Sequence, residues 1–233
     1  MFTRRTLLTA GAALIATPSI IRPLQAKSRT PVLARVVTGF DATGSTTAGT
    51  VHVREPNLTA FAQVMAQDMP TIISQSDYDV LDFEVFGWAN TSTHTMVART
   101  MLHRGSCNDA CQHIADKLLA MASEKMKGDT DLLPPLKQGI ALAGTVADAT
   151  RRVFNFVTDD DSTRARPQTD LQTLRDIAIR KRITVNGLIM GDPSAMNNYV
   201  DRDIRTPDGF VLRTTDYTSN YAAWRQKFIW DIG

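Results

Sequence analysis

Three segments of this chain collect oxygen-bearing side chains where they could hold a cation. The first, Gly39-Phe40-Asp41-Ala42-Thr43-Gly44-Ser45, follows an apolar run and places Asp41, Thr43 and Ser45 at i, i+2 and i+4. In extended backbone that spacing turns all three side chains to one side. One carboxylate beside two hydroxyls suits a hard divalent ion such as Mg²⁺ or Mn²⁺, which takes oxygen ligands and keeps several waters. Thr130, in Gly128-Asp129-Thr130-Asp131, stands just before a helix-like segment, and Asp160 follows the run Val153-Phe-Asn-Phe-Val157 within the acidic triplet Asp159-Asp160-Asp161. Spacing from the run favours Asp160 over Asp159. The competing reading is local: hydroxyl and acidic residues in turns cap helices and bond their own backbone.

Other chemistries are weaker. Gly39 to Thr46 reads Gly-x4-Gly-Ser-Thr, but Ser45 stands where a phosphate-binding loop needs Lys. An aspartate after the first strand also resembles the nucleophile of a haloacid-dehalogenase-like phosphatase, with Asp41 attacking phosphorus and Asp159 to Asp161 holding Mg²⁺. Thr43 occupies the place of that family's second Asp, so the general acid is missing. No Gly-x-Ser-x-Gly elbow and no nucleophile–base arrangement is present. Cys107 and Cys111 are the only cysteines, an even pair that in an oxidising compartment reads as a disulfide. Their i, i+4 spacing makes a bridge tight, which leaves a free pair open. With His103 and His113 they spell His-x3-Cys-x3-Cys-x-His, a weak zinc pattern, since ligands on one short helix rarely converge on a tetrahedral point.

The elements that must position these residues alternate. Strand-like runs lie at 32–37, 78–86, 95–102, 152–157, 183–189 and 210–213, and helical patterns at 57–69, 110–126, 132–149, 171–182 and 220–232. Asn57 reads as a cap and Pro70 as a kink or stop. The pattern predicts an α/β fold, a doubly wound, mostly parallel sheet with helices on both faces. Ligands of such sheets bind beyond the carboxyl ends of the strands, where the three oxygen-rich segments stand.

The chain has 26 Lys+Arg against 24 Asp+Glu. Arg4, Arg5 and Arg22 lie in the first 26 positions, which hold no acidic residue, so residues 27–233 carry 23 basic against 24 acidic side chains. That near-neutral balance argues against a nucleic-acid partner. Thr3-Arg4-Arg5-Thr6-Leu7-Leu8, the weakly apolar Thr9 to Ala16 and the small-residue end Leu24-Gln25-Ala26 resemble a twin-arginine export signal over residues 1–26. The expectation is a periplasmic or secreted protein with one domain over 27–233. No later stretch approaches the roughly 20 apolar residues of a membrane span.

Asp-x-Thr-x-Ser after the first strand, Gly-x-Thr before a middle helix and Asp after the Arg151 to Val157 strand together resemble a von Willebrand factor type A domain. Arg182-Ile-Thr-Val-Asn-Gly-Leu-Ile189, Asn198-Tyr199-Val200, Pro207-Asp-Gly-Phe-Val211 and Phe228-Ile-Trp-Asp-Ile232 resemble a family of exported bacterial proteins carrying that domain. The resemblance implies a metal-ion-dependent adhesion site built by Asp41, Thr43, Ser45, Thr130 and Asp160, with Thr43 where the family usually has Ser. It implies a non-catalytic role: a partner protein completes the ion's shell with an Asp or Glu carboxylate. A purely structural ion is the variant of that expectation.

Overall fold

The computed structural model describes residues 30–42, 54–90, 93–123, 131–158, 168–190, 199–214 and 220–232. The chain divides into Met1–Thr30 and Pro31–Gly233, and the architecture below is that of the second unit. The expected signal segment lies outside the described residues.

The unit is built on a six-stranded sheet: β1 (Leu33–Asp41), β2 (Val80–Asn90), β3 (Thr93–His103), β4 (Arg151–Thr158), β5 (Thr184–Met190) and β6 (Val211–Thr214). The strand order is β3-β2-β1-β4-β5-β6, with β3 alone antiparallel. The helices are α1 (Arg54–Gln67), α2 (Met69–Gln75), α3 (Asn108–Ser123), α4 (Leu133–Ala143), α5 (Gln168–Arg180) and α6 (Asn220–Ile232), with a π turn at Val200–Ile204. The expected fold class is the one observed. Pro70 does not merely stop α1. It sits in the first turn of the separate helix α2, where its missing N–H costs nothing. Helix α4 ends at Ala143, six residues before the predicted Ala149, with the N–H of Gly144 donating to the Ile140 and Ala141 carbonyls.

Side chains alternate across the sheet and feed two cores. On one face Val36, Phe40, Phe83, Val85, Val153 and Val157 pack under α1, α3 and α6. There the rings of Phe61 and Trp224 stack at 4.0 Å, and Phe228 lies against both. On the other face Val37, Phe86, Trp88, Phe154 and Phe156 pack with Leu136 and Ile140 of α4 and Ala178 of α5. Gly139 lets α4 approach closely, since a Cβ there would lie 2.0 Å from the Phe154 ring.

Each face also buries charge. The acidic positions of β2, Asp82 and Glu84, are not solvated. Arg35, 0% exposed on β1, donates Nη1 to Asp82 at 2.8 Å and Nη2 to Glu84, while its Nε reaches the Leu142 carbonyl of α4. Arg99 on β3 closes the group through two bonds to Asp82. Under α6, Asp231 accepts from Asn155 (2.7 Å), Asn186 (2.8 Å) and Lys227 (2.8 Å). Asn155 and Asn186 are register partners on β4 and β5, so one carboxylate fastens the helix to two strands.

Candidate metal centre

Strand β1 lies inside the parallel run, between β2 and β4, and is paired on both sides along most of its length. The strand continues through Gly39 and Phe40, predicted as loop, so Asp41 is its last residue. Gly39 permits this: a Cβ there would lie 2.5 Å from Phe86 Cζ, and the absent side chain makes room for the ring. The ladder extends one residue further through Ala42 N donating to the Trp88 carbonyl at 2.7 Å.

Asp41 shares a face with Val37 and Gly39, the face covered by α4 and α5. In register beside it on β2 stands Trp88. On β4, Val157 pairs with Phe40, which brings Thr158 to the level of Asp41. The buried Thr158 hydroxyl donates to Asp41 Oδ2 at 3.1 Å. Below them the Trp88 and Phe156 rings meet over β1, with centroids 5.6 Å apart and planes 12° from parallel. At the carboxyl end of the sheet the half-buried carboxylate therefore accepts from a hydroxyl on one neighbour strand and stands level with Trp88 on the other.

Of the five expected ion-holding residues the described structure contains Asp41. Thr43, Ser45, Thr130 and Asp160, with its rival Asp159, lie outside the described residues. Next to Thr130, Asp131 accepts from Leu133 N at 3.2 Å at the start of α4, the capping use of an acidic turn residue. The donors among the described residues fit a hard cation: a carboxylate and a hydroxyl from adjacent parallel strands.

Cys107 and Cys111 are two free, buried thiols in the structure, not a bridge. Cys111 N donates to the Cys107 carbonyl at 2.8 Å as α3 begins, so the pair sits in a regular helical first turn. Burial, and then the neighbouring Cys107, push the Cys111 thiol well above its ordinary value. The zinc pattern fails: among the described residues, which include His103, Cys107, Cys111 and His113, no three His, Cys, Asp or Glu side chains could hold a metal ion. His103 ends β3 and His113 stands on α3, and both face solvent while Cys107 and Cys111 are buried, so the four do not share a site.

Sequence reasoning missed Thr158 and Trp88. The signal for Thr158 was present in β4, where Phe154, Phe156 and Thr158 alternate onto one face. Trp88 lay beyond the predicted end of β2, which stopped at Phe86.

A family model described as "Protein of unknown function (DUF1194)" matches residues 39–233. No curated protein matches the chain. Among solved structures, the pilus adhesin SpaC from Lactobacillus rhamnosus GG superposes with a TM-score of 0.62 at 14% identity, over 87% of this chain and 31% of that one. Proximal thread matrix protein 1 of the mussel byssus, with a zinc-occupied MIDAS motif, gives 0.54 at 13% identity, over 86% and 46%. The human COPII-coat protein Sec24c gives 0.52 at 10% identity, over 88% and 33%. The chain thus spans less than half of each of these longer chains, and the likeness is one of fold: the von Willebrand factor type A sheet and its helices.

Proposed function

The chain belongs to the DUF1194 family, and from that membership, its von Willebrand factor type A fold and the setting of Asp41 we propose that it is an exported, non-catalytic binding domain that engages a partner protein through a divalent cation. The observation that carries this reading is Asp41 at the carboxyl end of β1, its carboxylate set by the Thr158 hydroxyl at 3.1 Å. Asp41, Thr43, Ser45, Thr130 and Asp160 are the oxygen donors that would hold Mg²⁺ or Mn²⁺. When bound, the ion supplies a positive centre with a replaceable water. A partner's Asp or Glu is the matching ligand, because a charge-assisted contact in a partly dry site far exceeds a solvated surface pair. The mussel protein's zinc-occupied MIDAS motif on a similar fold supports the same chemistry.

The residues of this chain do the positioning. Thr158 orients Asp41, and the β1 ladder to β2 and β4 fixes its backbone. Export through the twin-arginine signal belongs to the same proposal, and among the described residues no helix is long and apolar enough to cross a membrane. The experiment is capture of periplasmic proteins on the immobilised protein in Mg²⁺ and in chelator, beside Asp41→Ala. Capture that requires both the ion and Asp41 is expected. Capture indifferent to both, or hydrolysis of a phosphate monoester that disappears in Asp41→Ala, would refute the reading.

A further inference from the structure

Three buried side-chain donors among the described residues have no hydrogen-bond partner: the indole N–H of Trp88, Nε of Arg175 and the indole N–H of Trp224. Buried donors are nearly always paired, and an exception calls for a reason. Trp224 lies in the opposite core, stacked on Phe61 and Phe228. Trp88 is different in its place. It is the register partner of Asp41, its side chain is on the same face, and its ring leaves β2 to lie over β1 against Phe156 of β4. The indole thus belongs to the strand neighbouring β1 on one side, level with Asp41, while the Thr158 hydroxyl that bonds Oδ2 comes from the strand on the other side. Packing alone would be served by Phe at this position. The indole adds one polar hydrogen, fully buried, next to the residue expected to carry the ion.

We propose that Trp88 is a positioning residue of the cation site, whose indole N–H donates to an oxygen of the bound ion's shell, a ligating carboxylate or an ion-bound water. This rests on the reading of Asp41 as an ion-holding carboxylate. Such outer donors fix the orientation of ligating groups, and their removal typically weakens metal affinity about 10- to 100-fold. Trp88→Phe deletes the N–H and keeps a ring to stack on Phe156.

The test uses Mg²⁺ alone as probe. In the ¹⁵N-labelled protein the Trp88 indole resonance is the one missing from Trp88→Phe. With Mg²⁺ added it is expected to move saturably, with the same midpoint as calorimetric uptake, and to stay still in Asp41→Ala. Trp88→Phe is expected to bind Mg²⁺ about tenfold more weakly. Calorimetric uptake with an unmoved Trp88 resonance, or with equal affinity in Trp88→Phe, overturns the role of Trp88 while leaving the cation site standing. Absence of any Mg²⁺ uptake by the parent protein overturns both. Should Trp88→Phe not fold, the Trp88 resonance is identified by elimination from Trp224→Phe and Trp230→Phe, the other two tryptophans, and its response to Mg²⁺ in the parent protein and Asp41→Ala decides the matter.

Discussion

At the scale of single residues, two carboxylates in this fold have opposite settings. Asp41 is half-buried and set by a hydroxyl, while Asp231 is sealed away and accepts from three side chains. The first is suited to a ligand and the second to holding α6. Thr158→Val removes the donor to Asp41 without changing shape, and a loss of about tenfold in Mg²⁺ affinity is expected by calorimetry. Lys227→Met breaks the ion pair under α6 and leaves Asp231 charged in the core, so urea denaturation should show a loss of about 3 kcal/mol. The lysine also leaves a pH signature. Burial, against the pull of Asp231, holds the Lys227 amine below the ordinary lysine value of 10.5. The folded protein then binds that proton less tightly than the unfolded chain. The contribution is therefore lost as pH falls through the folded value and grows as pH rises from there toward 10.5. Between those limits the parent protein should gain stability with pH relative to Lys227→Met, and parallel curves would contradict this account of the pair.

At the scale of elements, the alternation of apolar residues identified all six strands, and helical spacing identified five of the six helices. What it could not show is where a polar residue on a strand faces. Asp82 and Glu84 alternate with Leu81, Phe83 and Val85 as the solvated side of an edge would, yet both are buried, because Arg35 from β1 and Arg99 from β3 meet them across the sheet. That pairing depends on strand order, which periodicity does not encode. The same limit hid Trp88 and Thr158, whose relation to Asp41 is a matter of register between strands more than 40 residues apart in sequence. Two boundaries were misplaced: β1 runs on through Gly39 to Asp41, and α4 stops at Ala143. Packing of α4 gives a direct check. Gly139→Ala drives a methyl into the Phe154 ring, and a destabilisation of about 1–3 kcal/mol is expected from urea melts. At the start of α3 the thiols of Cys107 and Cys111, both buried and that of Cys111 pushed up by its burial, should resist alkylation in the native protein and react in urea without reductant. Failure to react in urea until reductant is added would establish the disulfide instead.

For the whole molecule, fold class and one element of the site were legible from the chain, since a strand–loop grammar with oxygen donors after β1 and β4 points to the carboxyl edge of a parallel sheet. The structure adds the physical reason that Asp41 is the anchor. It ends the strand flanked by β2 and β4, it accepts from Thr158, and it is in register with the buried Trp88. The remaining donors, Thr43, Ser45, Thr130 and Asp160, come from segments whose convergence is a prediction about ligand binding. The most direct measurement is calorimetric titration of Mg²⁺ and Mn²⁺ into the metal-stripped protein, beside Asp41→Ala and Asp160→Ala. Saturable uptake by the parent protein that is lost in both variants is the predicted result. No uptake by the parent, or uptake unchanged in Asp41→Ala, would contradict the claim that this edge of the sheet is a cation-dependent binding site.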